Sequence, residues 1–547
     1  MPIEDLRTIG TASPIDADLC LVGSGFAAWS IAEELRESGL RIVVIESGGL
    51  GSEAAADALN EVDDVGVPLR NGRDRLLGGT SHTWTGRCRA FDEIDYERRS
   101  WVPHSGWPLD GATIAPYLDR AAEHLGAGPY TPDGRAEEPP GPQERPRVDP
   151  GSLQSGCWED PPPVRIGPRF LANTNAKLRV IVHATVTHLT TDPSGAQLES
   201  VEIACDGETR TTVRARAFVL CAGGIENARL LLSSNRVRPN GIGNEHDVVG
   251  RYLMDHPRDN VPVVGVDVRH AARVRALFGP YKRDGARGRH DYMHGLAFAP
   301  ERQRRDGLLN CAAWPREFSA ADDPIDAATR LATGRSERTV RDLAYVVTQP
   351  GWIVSAVRAK RNDERVAHKL AQIGFTIASE QVPDPESRVR LGSRKDRFGV
   401  PIVETDWRVN AREKASQAEL ARTIAREFER LGLPRATLAP WTAEGRHDEA
   451  IFADGCHPTG TTRMATDPRF GVVDADCRVH GVEGLYVAGS SIFPTAGHAN
   501  PTLTIVAFAI RLAHLLRRRL SATLAADVVS VRPPGDEVAV ARYGTAS

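Results

Sequence analysis

The chain has 547 residues, a formal net charge of −4 at pH 7, 41% apolar and 26% charged residues. That length exceeds one simple core and predicts two or more intertwined domains of ordinary globular composition. The charge balance excludes a broad nucleic-acid surface. The eight scattered cysteines contain no CxxC pair, so neither a metal knuckle nor a disulfide framework is expected, and no apolar run reaches the roughly 18 residues of a membrane span.

The N-terminus, MPIEDLRTIGTASPIDAD, has no basic stretch followed by an apolar one and no twin arginine, so the expected location is cytoplasmic. Residues 18–46 carry the first chemistry. DLCLV reads as a short buried strand, GSGFAA places Gly23, Gly25 and Ala28 in G-x-G-x-x-A spacing, WSIAEELRESG reads as a helix, and RIVVIE is a second strand ending on Glu46. This is a complete βαβ unit. Gly23 permits the tight turn, and Gly25 lets backbone approach a pyrophosphate at the helix N-terminus, where free N–H groups favour an anion. Glu46 stands where a carboxylate accepts hydrogen bonds from ribose hydroxyls. The unit points to a dinucleotide without separating FAD from NAD.

In RDRLLGGTSHTWTG the paired Gly78 and Gly79 precede Thr80, Ser81, Thr83 and Trp84, a composition suited to backbone passing close to a flat ring. Residues 109–165 are rich in Pro, Gly and charge and read as a long loop or lid. From 178 to 233 strand-like alternation returns, with a β-meander expected before AFVLCAGG ends a strand and enters a helix. His256, before Pro257, has no cysteine or acidic partner at metal spacing and is assigned to packing. No metal site is expected.

Residues 258–450 read as a substrate domain. Its apolar segment LAYVVTQPGWIVSAV (343–357) reads as a core element, with a lid and oligomer contact as the alternative. FTIASEQVPDPESRVRLG and GVPIVETDWRV read as antiparallel strands forming one wall of a pocket. A polar helix over 411–432, with Leu420, Ile424 and Phe428 on one face, is expected to cover that sheet. Residues 521–547 read as a polar tail.

GSGFAA with Glu46, LLGGTSHTWTG, CAGGIENARLLL, VGRYLMDHP, HPTGTTRM, GLYVAGSSIFPT and NPTLT together resemble the glucose–methanol–choline (GMC) oxidoreductase family, in its pyranose-oxidase-like bacterial branch. The resemblance implies an α/β fold: a Rossmann-type FAD-binding domain assembled from 1–108, 166–257 and 451–520, with an α+β substrate domain on an antiparallel sheet over 258–450. It implies that Gly79, Thr80, Ser81 and Thr83 lie along the flavin, Val186 and Ala222 near the cofactor, Gly489 and Ser490 at the pyrophosphate, and Pro501 and Thr502 at the pyrimidine edge. Relatives that attach FAD covalently carry a histidine where this chain has Thr83. His82 is one residue early and would point the opposite way in an extended segment, so non-covalent FAD is expected.

Flavin-dependent alcohol oxidation needs a base for the hydroxyl proton and a second polar group to hold the oxygen. The resemblance assigns these to His457 and Asn500, which flank GLYVAG 43 residues apart. His498 is the rival base; otherwise it is an accessory site residue or a structural histidine with a backbone partner. The expected reaction is oxidation of a CH–OH group of a polar polyol: a sugar, glycoside, amino sugar or aminocyclitol. Oxygen or another acceptor is the second partner. A hydrophobic alcohol or sterol, or a non-oxidising flavin lyase or isomerase, is the alternative.

Overall fold

The structure is a computed structural model that describes residues 3–9, 13–69, 72–136, 147–205, 209–259, 263–267 and 271–530. Its first core is a parallel sheet of six strands in the order Ile3–Asp5, Leu178–Val182, Ile42–Ile45, Leu19–Val22, Ala217–Leu220, Leu485–Val487. LCLV, IVVI, AFVL and LYV are buried at every position, as strands covered on both faces must be. The Phe26–Glu34 and Gly111–Leu125 helices pack against the long Thr502–Ser530 helix on this core. Strands from both ends of the chain therefore share one sheet.

The second core is an antiparallel sheet. Its central strands are Gly288–Phe298, Cys311–Ser319 and Leu370–Ser379, joined by Leu153–Asp160 and by the short Arg258–Asp259 strand. The Ala411–Arg430 helix lies across it as expected, burying Leu420, Ile424 and Phe428 against Phe375 and Ile377.

Four expectations are corrected. Residues 109–165 are not simply a loop. Asp110 caps the Gly111–Leu125 helix by accepting from the Thr113 N–H, and Leu153–Asp160 is a strand of the substrate sheet; residues 137–146 lie outside the described residues. The first strand of the expected meander divides, with Leu178–Val182 joining the parallel sheet and Thr185–Thr191 a separate four-stranded sheet. The Arg388–Lys395 and Pro401–Asp406 hairpin pairs with Val62–Asp64, not with the substrate sheet. The apolar 343–357 segment is not core: it lies in the Thr339–Thr348 and Pro350–Arg361 helices, where Leu343, Val347, Val354 and Val357 are exposed. Of the expected tail, 521–530 continues the last helix and 531–547 lies outside the described residues.

Among the described residues, no helix is long and apolar enough to cross a membrane.

Candidate active site

A cavity of about 660 Å³ opens where the two cores meet, within the usual range for ligand pockets. Three helices begin at it. Gly25, Phe26 and Ala27 of the first, Ala222, Gly223 and Gly224 of the second, and Pro501, Thr502 and Ile505 of the third line its wall. The Phe26–Glu34 helix has no side-chain cap and no acidic residue in its first turn, so its leading N–H groups and dipole are presented to the cavity. Gly23 adopts φ +99°, and a Cβ there would sit 2.7 Å from the Cys221 carbonyl oxygen. A Cβ on Gly25 would meet nothing within 4 Å. A dinucleotide fits this cradle: its pyrophosphate can reach bare backbone at a helix N-terminus.

Of the residues singled out from sequence, Gly23, Gly25, Glu46, Gly79, Thr80, Thr83, Val186, Ala222, Gly489, Ser490, Pro501, Thr502, His457, His498 and Asn500 all line the cavity. Ala28 and Ser81 do not. Ala28 is buried in the helix–sheet contact, and the Ser81 hydroxyl accepts from the Ile166 N–H. Glu46 is buried, accepts from the Ser24 hydroxyl and the Gly48 N–H, and burial raises its pKa. Oε1 also accepts from the Ser47 hydroxyl at 3.4 Å, so Oε2 is the oxygen that retains capacity for a further donor. His82 bonds the Leu77 carbonyl at 2.9 Å and is absent from the cavity wall.

Sequence reasoning missed two groups. Arg73, Arg75, Arg229, Glu226 and Asp396 line the cavity as an ion-pair network, with Arg73–Glu226 at 2.8 Å, Arg75–Glu226 at 2.9 Å and Arg229–Asp396 at 2.8 Å. Burial opposes ionisation of Glu226, but the three guanidiniums outweigh it and hold its pKa at about 2. The second group is Arg87, Arg258 and Trp314, which line the cavity with the histidines. His256, assigned to packing from sequence, belongs here: it lines the cavity, and its Nδ1 lies 2.9 Å from His457 Nδ1. The only advance signal was its place in VGRYLMDHP.

His498 is buried, packs edge-on to Trp158, and has no hydrogen-bond partner at either ring nitrogen among the described residues. Burial holds its pKa down at about 4. The trio Asp323, Asp326 and His368 is close enough to share an ion, but it lies outside the cavity, where Asp323 caps the Pro324–Ala332 helix.

Sequence signatures of GMC oxidoreductases match residues 168–258 and 383–509. Paromamine 6'-oxidase of Streptomyces fradiae is 26% identical over 91% of this chain and 90% of its own length. C-glycoside 3-oxidase of Arthrobacter globiformis is 26% identical over 82% and 75%. Among solved structures, pyridoxine 4-oxidase from Mesorbium loti shares the fold with a TM-score of 0.53 at 17% identity, covering 91% of this chain and 98% of that one. The matched segments contribute the strand, helix and histidine-bearing loops around the cavity, and the chain belongs to the GMC oxidoreductase family of FAD-dependent alcohol and sugar oxidoreductases.

Proposed function

We propose that this enzyme oxidises a CH–OH group of a polar polyol, with His457 as the base and Asn500 as the group that orients the substrate oxygen. The carrying observation is that these two residues, 43 positions apart, line one cavity together with the glycines of the dinucleotide cradle. FAD, bound non-covalently, supplies at N5 the acceptor for the hydride that leaves the substrate carbon.

His457 takes the hydroxyl proton. A neutral imidazole suits that step because its pKa lies near working pH. The Asn500 carboxamide donates to the oxygen as negative charge develops. The backbone carrying His457 is tightly held: Asp255 accepts from the Gly455 N–H at 2.6 Å and the His457 N–H at 2.8 Å, while Cys456 between them has φ +61°. A non-glycine residue in that region is strained and persists only where its surroundings over-determine it. Gly223 and the first turn of its helix, with the Phe26–Glu34 N-terminus, would hold the phosphates. Pro501 and Thr502 would face the pyrimidine edge, where the N-terminus of the last helix favours the reduced, anionic ring.

A polyol is favoured over a sterol by the polar side chains that line the cavity with His457, among them Arg87, Thr85, His256 and His498. The apolar 343–357 segment, which would have lined a sterol channel, is absent from the cavity wall. The relatives named above as oxidases of paromamine and of C-glycosides support a sugar, glycoside or amino-sugar substrate.

The test is anaerobic addition of a panel of sugars and amino sugars to the purified yellow protein, followed by air. Lasting bleaching by a polyol supports the proposal. Bleaching only by hydrophobic alcohols, or turnover with no lasting bleaching, refutes it. His457→Ala should stay yellow and reduce about 10²–10⁴-fold more slowly. Near-normal reduction would move the base to His498.

A further inference from the structure

Two turns far apart in sequence meet beside the cavity: Asp255–Pro257 and Gly455–Pro458. Their imidazoles cross edge to face, with ring centroids 5.1 Å apart and planes at 76°. The Nδ1 atoms are 2.9 Å apart. Two imidazole nitrogens at that distance share one proton, because two lone pairs repel and two N–H groups collide.

The other nitrogen of His256 decides which ring owns it. His256 Nε2 lies 3.3 Å from the Ala496 carbonyl oxygen. A carbonyl only accepts, so Nε2 carries a hydrogen. Burial lowers the His256 pKa to about 4, so near neutral pH the ring holds that single proton and its Nδ1 is a lone-pair acceptor. The shared proton therefore sits on His457 Nδ1. A neutral His457 in that tautomer has its lone pair on Nε2, and the residue lines the cavity.

We propose that His256 is a positioning residue: it accepts the His457 Nδ1–H, fixes the tautomer in which Nε2 is the proton acceptor, and steadies the imidazolium that forms when the substrate proton arrives. The proposal rests on His457 being the base. Asp255 completes the device by accepting from the backbone N–H groups of both histidines, at 2.6 and 2.8 Å. Removing the acceptor leaves the ring able to flip or to carry its proton on Nε2, where it cannot act as a base. It also removes a partner that favours the charged form, so the basicity of His457 falls. The charged and titratable groups facing this pair are Asp255, Asp454, Glu380, Arg258 and His498, and both test variants leave all five in place.

Two conservative replacements separate the ring's two ends. In His256→Asn the carboxamide oxygen can stand near the Nδ1 position and still accept. In His256→Gln the amide reaches the Nε2 position and can keep the Ala496 contact, but the acceptor for His457 is lost. Flavin reduction is followed by anaerobic stopped-flow at saturating polyol between pH 5 and 9, with His457→Ala alongside. His256→Gln should reduce about 10–100-fold more slowly, with substrate affinity little changed and the acid limb of its pH profile moved to lower pH. His256→Asn should lie near wild type in both. Wild-type rates in both variants, or a fast Gln variant with a slow Asn variant, overturn the proposal. So does equal slowing of both with an unmoved pH profile, the signature of a merely structural residue. A fast His457→Ala enzyme instead refutes the base assignment itself, so the two failures are distinguishable.

Discussion

Replacing Gly25 by alanine tests the dinucleotide cradle without disturbing the fold around it. Gly25 caps the Phe26–Glu34 helix at φ −72° and ψ −166°, a region open to any L-residue. The new methyl would touch no protein atom within 4 Å and would project into the cavity that Gly25 lines. In the flavin-free protein the change should therefore be neutral, or stabilising by about 0.4–1 kcal/mol through the unfolded chain. Bound FAD must then retreat from the helix N-terminus by about the radius of a methyl group. Losing one charge-assisted hydrogen bond there costs about 1.5–3 kcal/mol, equivalent to about 10–140-fold in Kd. Gly23→Ala is the control, because at φ +99° with a backbone oxygen 2.7 Å from the new Cβ it should lower the Tm of the flavin-free protein as well. Flavin titration by fluorescence quenching and thermal melts of both apoproteins measure these effects. Unchanged FAD affinity in Gly25→Ala would show that no phosphate approaches that turn. A melting loss equal to that of Gly23→Ala would show that the space is not open.

The remaining expectations are independent of that one. Acid precipitation should release the yellow colour to the supernatant, because Thr83 occupies the attachment position and His82 is committed to the Leu77 carbonyl; colour kept in the pellet would refute non-covalent binding. Glu380→Ala should cost about 3–5 kcal/mol in urea unfolding, since it strands the fully buried Arg99, now held by two contacts at 2.6 and 2.7 Å. His498 has a folded pKa of about 4 against an unfolded value near 6.5, so the unfolded chain binds the extra proton between those limits. Stability is present above about pH 6.5 and is lost as pH falls toward 4, by about 2 kcal/mol at pH 5; His498→Gln should flatten that part of the melting-temperature profile, and an unaltered slope would refute it.

The legible parts of this chain were those whose chemistry is local. Gly23, Gly25 and Glu46 lie within one βαβ unit, and spacing alone places them together. His457 and Asn500 needed a family resemblance, because nothing in 43 residues of sequence says that their loops converge. The network of Arg73, Arg75, Glu226, Arg229 and Asp396 joins three distant segments, and each residue alone resembles an ordinary surface charge. The Gly111–Leu125 helix was overlooked although Asp110 and Gly126, at φ +70°, mark its two ends. Pro116 within it and the Pro-rich run that follows masked the period. The 343–357 error has a different cause. Apolar content argued for burial, but burial is a tertiary property, and these helices turn Leu343, Val347 and Val354 outward.

Segment 88–107 explains how the loop carrying His498 and Asn500 is held without belonging to a sheet. Arg99 pairs with Glu380 from the substrate core. Asn310, also from that core, donates to Asp92 and Asp95. Trp107 donates to the Thr495 hydroxyl, and Thr495 in turn donates to the Asp95 carbonyl at 2.7 Å. Thr495 lies next to Ala496, whose carbonyl orients His256, and five residues before Asn500. The same polar contacts that fasten the two cores together therefore also set the height of the loop carrying His498 and Asn500. Buried polar networks of this kind tolerate little partial loss. Damage to Arg99 or Glu380 should consequently reach flavin reduction at temperatures where the protein remains folded, through displacement of Asn500 and of the carbonyl that fixes the His256 tautomer.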